Sequence, residues 1–180
     1  MKTNWKSVPV ITMLVFLALS GHASVVHAKK SKDKTVTGVV TKVSDGDTLW
    51  LRPDRCEAVG ECPLMKLRIQ GMDAPEVCQD LGEQSAAALR SRVLNQKVTV
   101  SLSSQDRYGR ELGRVRLNDD DVGAWMVRQG WAWSYRYKHN AGPYTREEQQ
   151  AREAQRGVFA DPAAIEPRAF RQSHGPCRYR

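Results

Sequence analysis

Two short acidic clusters and two arginines are where this 180-residue sequence could do chemistry. The clusters are Asp45-Gly46-Asp47-Thr48 and Asp73-Ala74-Pro75-Glu76; the arginines are Arg68, five residues before Asp73, and Arg110, inside Asp106-Arg107-Tyr108-Gly109-Arg110. The carboxylates are hard oxygen donors that suit Ca²⁺ or Mg²⁺ better than zinc. A guanidinium fork grips two phosphoryl oxygens at once and stays charged at any ordinary pH. Such donors stabilise a pentacovalent phosphorus, with its added negative charge, more than the ground state. One divalent ion, two arginines and a spare carboxylate therefore make a set suited to phosphodiester hydrolysis. Other chemistries lack their parts. After residue 28 the histidines are His139 and His174, neither in a recognisable catalytic motif, and no glycine-rich phosphate loop or H-E-x-x-H helix is present. Taken singly, each feature has a plainer reading. D-G-D-T is a common turn, D-A-P-E a helix entry with Pro75 near its first position, and a lone arginine is most often a solvated cation.

Strands and helices must bring these groups together. Val36, Val39, Val40 and Val43 predict a strand over residues 35–43, with Ser44 to Asp47 as a hairpin turn into a strand over 48–51. Residues 54–63 form a loop. Residues 64–71 alternate as a third strand, with Leu67 and Ile69 on one face and Arg68 and Gln70 on the other. A helix is expected over 81–95, strands over 97–102 and 111–117, and helices over 122–129 and 144–156, closed by Gly130 and Gly157. Residues 162–180 hold three prolines and few apolar side chains and read as an extended tail. Five strands with three helices predict an α+β fold around a small OB-type barrel, a scaffold that binds oligonucleotides on one face.

Residues 1–28 have the layout of a secretory signal peptide: Lys2 and Lys6, an apolar stretch over 8–19, and Val26-His27-Ala28 as a cleavage pattern ending at Ala28. The apolar stretch is short for a membrane span, which needs roughly 20 residues; a retained N-terminal anchor is the alternative. The expected organisation is a signal peptide (1–28), a basic leader (29–34), one domain (35–162) and a C-terminal tail (163–180). The product would be an exported monomer with no stable membrane association after cleavage. Losing residues 1–28 lowers the formal charge from +8 to +6, still basic enough for a polyanionic partner. All four cysteines follow the leader, and an even count in an exported chain favours disulfides. Three connectivities are open. Cys56–Cys62 closes a short loop and leaves Cys78 with Cys177; a zinc site is the competing reading, although C-x5-C is not a usual zinc spacing.

The ordered motifs V-S-D-G-D-T, L-R-I-Q-G-M-D-A-P-E, D-R-Y-G-R, V-R-Q-G-W-A and Y-R-Y resemble those of the staphylococcal nuclease family, over residues 35–162. The resemblance implies an OB barrel with three helices and a Ca²⁺-dependent nuclease acting on DNA, RNA or both and leaving 3′-phosphate ends. It implies Asp47, Asp73 and the Ala74 carbonyl as ion ligands, with Asp45 in the outer shell. Position 74 is threonine in many relatives, so alanine removes a hydroxyl there. Arg68 and Arg110 would grip the scissile phosphate and Glu76 would position or deprotonate the attacking water. Arg107 and Tyr108 would contact a neighbouring phosphate, and Tyr135 and Tyr137 would flank the bound nucleotide. Trp131 and Trp133 are assigned to packing. Two departures stand out: the segment after Glu76 is shorter than the long loop of the best-known relatives and carries Cys78, and the Cys56–Cys62 insertion is an addition. The alternative is a nucleic-acid-binding module without catalysis, which the intact acidic and arginine set argues against.

Overall fold

The computed structural model of the chain describes Met1 and residues 34–56, 60–137, 140–175 and 177. The signal-peptide and leader expectations fall almost wholly outside these residues, as does His139. Among the described residues no helix is long and apolar enough to cross a membrane.

The alternating valines give β1 (Lys34–Val43), which turns back through Ser44–Asp47 into β2 (Thr48–Pro53). β3 (Met65–Ile69) follows the cysteine loop, and Gly71, at φ 90°, lets the chain turn sharply into the two-residue β4 (Met72–Asp73). After α1 (Gly82–Val93) come β5 (Lys97–Gln105), β6 (Glu111–Leu117) and the short β7 (Asp120–Asp121), then α2 (Val122–Arg128). The remaining elements are β8 (Trp133–Ser134), α3 (Thr145–Glu153), a 3₁₀ turn at Gly157–Ala160 and α4 (Pro167–His174).

The strands run in the order β3-β2-β1-β5-β6, antiparallel at each joint, and β3 meets β6 in parallel to close the barrel. Register shifts at Val40/Lys42 and Leu102/Ser104 supply the curvature that closure requires. Inward-facing Val40, Leu49, Leu51, Leu67, Val98, Val100 and Val115 fill the interior, with Leu89 and Val93 of α1 and Met126 of α2 sealing it. The α+β, five-stranded OB-type expectation is met in architecture. Arg68 and Gln70 lie opposite the buried Leu67 and Ile69, as their alternation requires.

Two expectations are corrected. Among the described residues there are four α-helices besides the 3₁₀ turn, not three, and the tail after Asp161 is not simply extended, because α4 forms there. Pro167 starts that helix at its first turn, where its missing N–H costs nothing, instead of breaking it. Phe170 and His174, one helical turn apart, stack at 4.4 Å. Trp133 packs edge-on to Phe159 in a second small core, and Trp131 packs against the first, so both tryptophans serve packing. Cys56 pairs with Cys62 and Cys78 with Cys177, which removes the zinc reading.

Candidate active site

The hairpin turn between β1 and β2 delivers Asp47 into the barrel mouth. Its backbone carbonyl accepts from the Ile69 N–H (2.8 Å), and its own N–H donates to Asp45 Oδ1 (3.1 Å). Gly46 is required by close approach: a Cβ there would run into Ser85 Oγ of α1 and lie 2.7 Å from Ala74 Cβ. Asp73 arrives from the other side on β4, held by its pairing with Trp133 of β8. Both carboxylates are buried, at 3% and 4% exposure.

Arg68 joins them. Its Nη2 lies 2.6 Å from Asp47 Oδ2 and 2.6 Å from Asp73 Oδ1, while Nη1 donates to Asp47 Oδ1 at 2.9 Å. Two carboxylate oxygens from separate elements thus converge on one cationic atom. Thr48 Oγ1 and the Ala74 N–H also donate to Asp47, at 2.9 and 3.4 Å. Burial nevertheless pushes the Asp47 carboxyl up to about 6, with the Arg68 charge opposing the rise and the Asp45 charge adding to it. Arg68 moves upward too; burial acts against its charge, but Asp47 and Asp73 outweigh it.

Barrel closure brings in the second arginine. Thr48 is opposite Arg68 across β2 and β3, and the parallel joint sets Leu67 against Glu111, the residue after Arg110. Arg110 Nη1 consequently reaches Thr48 Oγ1 (3.5 Å). Asp106 orients it, accepting from its Nε (2.8 Å), its Nη2 (2.7 Å) and its backbone N–H (3.0 Å). Those bonds hold the Asp106 carboxyl below its usual range, against the upward push of burial.

Asp47, Thr48, Arg68, Asp106 and Arg110 line a cleft of about 1670 Å³, larger than the few hundred to ~1,000 Å³ that suits a small molecule. Arg107, Tyr108, Tyr135 and Tyr137 stand along its wall. Tyr108 and Tyr137 are well exposed, and Arg107 and Arg110 lie over the Tyr108 ring at 4.8 and 5.5 Å. Asp45, Ala74 and Glu76 also line this cleft, and Asp73 is joined to it through Arg68.

One residue there has no counterpart in the sequence reading. Arg171 of α4 donates from Nη1 to Glu76 Oε1 (2.8 Å) and Asp73 Oδ1 (3.2 Å), and from Nη2 to Asp73 Oδ2 (2.9 Å). Burial acts against its charge, yet its bonds to Asp73 and Glu76 hold its proton more tightly than an ordinary arginine would. Nothing in Arg-Ala-Phe-Arg-Gln marks this role; the one sequence clue is Cys177, six residues on, whose bond to Cys78 ties the tail beside Glu76.

Residues 66–161 match the family described as "Staphylococcal nuclease homologue". Among similar proteins, "Protein ParB" of Escherichia coli is 36% identical over 146 residues, covering 75% of this chain and 78% of that protein. An "Uncharacterized endonuclease" of Escherichia coli O157:H7 is 36% identical over 138 residues (76% and 85% covered), and "Micrococcal nuclease" of Shigella flexneri is 31% identical over 147 (76% and 80%). With its barrel, its converging carboxylates and its arginine-lined cleft, the chain belongs to the staphylococcal nuclease family, as a hydrolase of nucleic-acid phosphodiester bonds.

Proposed function

We propose that the chain is a Ca²⁺-dependent nuclease of DNA, RNA or both, exported from the cell that makes it, with Asp47, Arg68, Asp73, Glu76 and Arg110 as its reaction centre. The observation that carries this reading is the meeting of the buried Asp47 and Asp73 carboxylates at Arg68, with Arg110 reaching the neighbouring Thr48. Both carboxylates are buried and offer hard oxygens of the kind that Ca²⁺ takes as ligands. A cation bound beside Asp47 would also offset the burial that raises its carboxyl. The donor set therefore fits a hard divalent ion, with Asp47, Asp73 and the Ala74 carbonyl as ligands and Asp45 behind them. Bound there, the ion would supply Lewis-acid stabilisation of charge building on the phosphoryl oxygens.

The chain's own residues account for the rest. Arg68 and Arg110 flank the ion site closely enough to grip one phosphodiester, and their rigid forks favour the more highly charged transition state. Glu76, at the cleft wall, orients the attacking water and takes its proton on a carboxylate oxygen. The P–O5′ bond breaks opposite the incoming oxygen and the departing oxygen takes a proton from solvent water, leaving a 3′-phosphate on one fragment and a 5′-hydroxyl on the other. Arg107 and Tyr108 contact the next phosphate, while Tyr135 and Tyr137 offer ring faces on which any base can stack, a sequence-tolerant contact worth roughly 1–3 kcal/mol per base. The two disulfides accord with an oxidising compartment.

Digestion of single-stranded DNA and of RNA, with Ca²⁺ and then with excess chelator, tests the reading, with end-group analysis of the products. Activity lost on chelation is expected, together with a fall of several orders of magnitude in Arg68→Ala and Arg110→Ala. Undiminished cutting by both variants would overturn the assignment, and tight salt-dependent binding without cutting would establish a binding module in its place.

A further inference from the structure

The C-terminal helix reaches into the proposed ion site. The flanks of α4 are fastened to the segment after Glu76 at two points, the Cys78–Cys177 disulfide and a Gln79 Nε2 donation to the Ile165 carbonyl (2.6 Å), while Arg136 after β8 pairs with Glu166 (2.9 Å). Cys78 is two residues from Glu76, and Cys177 is six from Arg171. The covalent bond therefore closes a short path from one partner of an ion pair to the other. At the end of that path the Arg171 fork engages both oxygens of Asp73 and Oε1 of Glu76.

We propose that Arg171 is a built-in competitor for the divalent ion, seated on Asp73 and Glu76 by the Cys78–Cys177 disulfide, so that the redox state of that disulfide sets the ion affinity of the site. The inference rests on Asp47 and Asp73 being the ion ligands. Competition follows from atom count and charge. Asp73 Oδ1 already accepts from Arg68 and Arg171, and Oδ2 accepts from Arg171. An ion approaching these oxygens must displace guanidinium N–H groups or share lone pairs with them, and it meets an added positive charge in either case. The Arg171 side chain is one-third exposed, so it can move aside into solvent. The disulfide resists that motion by holding the helix next to Glu76, which raises the effective concentration of the guanidinium at its acidic partners. Reduction by a dithiol, with two electrons and two protons passing to the two sulfurs, leaves two thiols and frees the helix end.

The test is calorimetric titration of the full chain with Ca²⁺, without nucleic acid, oxidised and after dithiothreitol. Arg171→Gln should bind Ca²⁺ at least roughly tenfold more tightly than the parent, since a charge contact near a protein surface is worth more than the same contact in bulk water. Cys78→Ser/Cys177→Ser, which keeps Arg171, should move in the same direction, and reduction should then add nothing. In Cys56→Ser/Cys62→Ser the response to reduction should persist. Should Arg171→Gln fail to fold, the cysteine pair and the reduced parent decide. Equal or weaker Ca²⁺ binding in Arg171→Gln overturns the competition while leaving the ion site standing. An absence of binding in every form overturns the ion reading, and the competition with it.

Discussion

At the cleft, the cations are aimed by carboxylates. Asp106 meets Arg110 through Nε, Nη2 and the backbone N–H, which fixes the plane of the fork as well as its position. Removing that support leaves the guanidinium in place chemically but free to rotate, and misplacement on the order of 1 Å costs up to about 100-fold in rate. Asp106→Ala is therefore expected to lower kcat/KM by roughly 10- to 100-fold on a single-stranded oligonucleotide, with the fold unchanged by circular dichroism; an unaltered initial rate would show that Arg110 needs no such partner. At this scale the sequence was readable where neighbours in the chain are neighbours in space. D-G-D-T and D-A-P-E each sit in one turn, and Arg68 precedes Asp73 by a single strand and turn. Arg171 was not readable, because its partners lie 98 and 95 residues away and α4 carries no motif that points to them.

Among the elements, the smallest have the largest effect on the site. β4 places Asp73, and it is paired only with β8, whose Ser134 N–H donates to buried Glu148 Oε2 at 2.9 Å. Glu148 in turn receives Arg136 and Arg152 on Oε1, at 2.6 and 2.7 Å. A helix α3 carboxylate thus supports the strand that supports an active-site carboxylate. Glu148→Ala leaves the buried Ser134 N–H without its acceptor, while Arg136 keeps Glu166 and Arg152 is half-exposed, so the cost is that of one unsatisfied buried donor, about 1–3 kcal/mol. Urea denaturation should show a loss of that order; a change below about 1 kcal/mol, the worth of an exposed pair, would mean that solvent replaces the contacts. The longer elements were legible because their apolar spacing has a period: two in β1 and β3, close to three and a half in α1. Two-residue strands such as β4, β7 and β8 have no period to read. The tail was misjudged because Pro167 signals a break in the middle of a helix and a start at its first turn, and composition does not say which applies.

For the molecule as a whole, charge and closure matter most. The chain carries a formal +8, and the cleft is lined by Arg68, Arg107, Arg110 and Arg114 among its cations. Each phosphate neutralised releases counterions, so binding should weaken steeply with salt. For Glu76→Gln, a single-stranded oligonucleotide is expected to bind at least roughly tenfold more weakly at 200 mM than at 50 mM salt, the drop that about two phosphate contacts produce. Filter binding or fluorescence anisotropy measures it, and a flat profile would mean that stacking alone carries the affinity. The barrel itself was foreseeable from five strands; its closing joint was not, since strand order is not written in local pattern. That joint has a consequence in time. The parallel contact of β3 with β6 spans 44 residues, from Leu67 to Glu111, and contacts so distant in sequence form late because loop closure must come first. Arg68 and Arg110 stand on either side of it, so the newly made chain has strands, turns and buried valines before it has two arginines able to meet one phosphate. On the proposed reading, a chain whose barrel has not yet closed would leave the nucleic acid around it uncut.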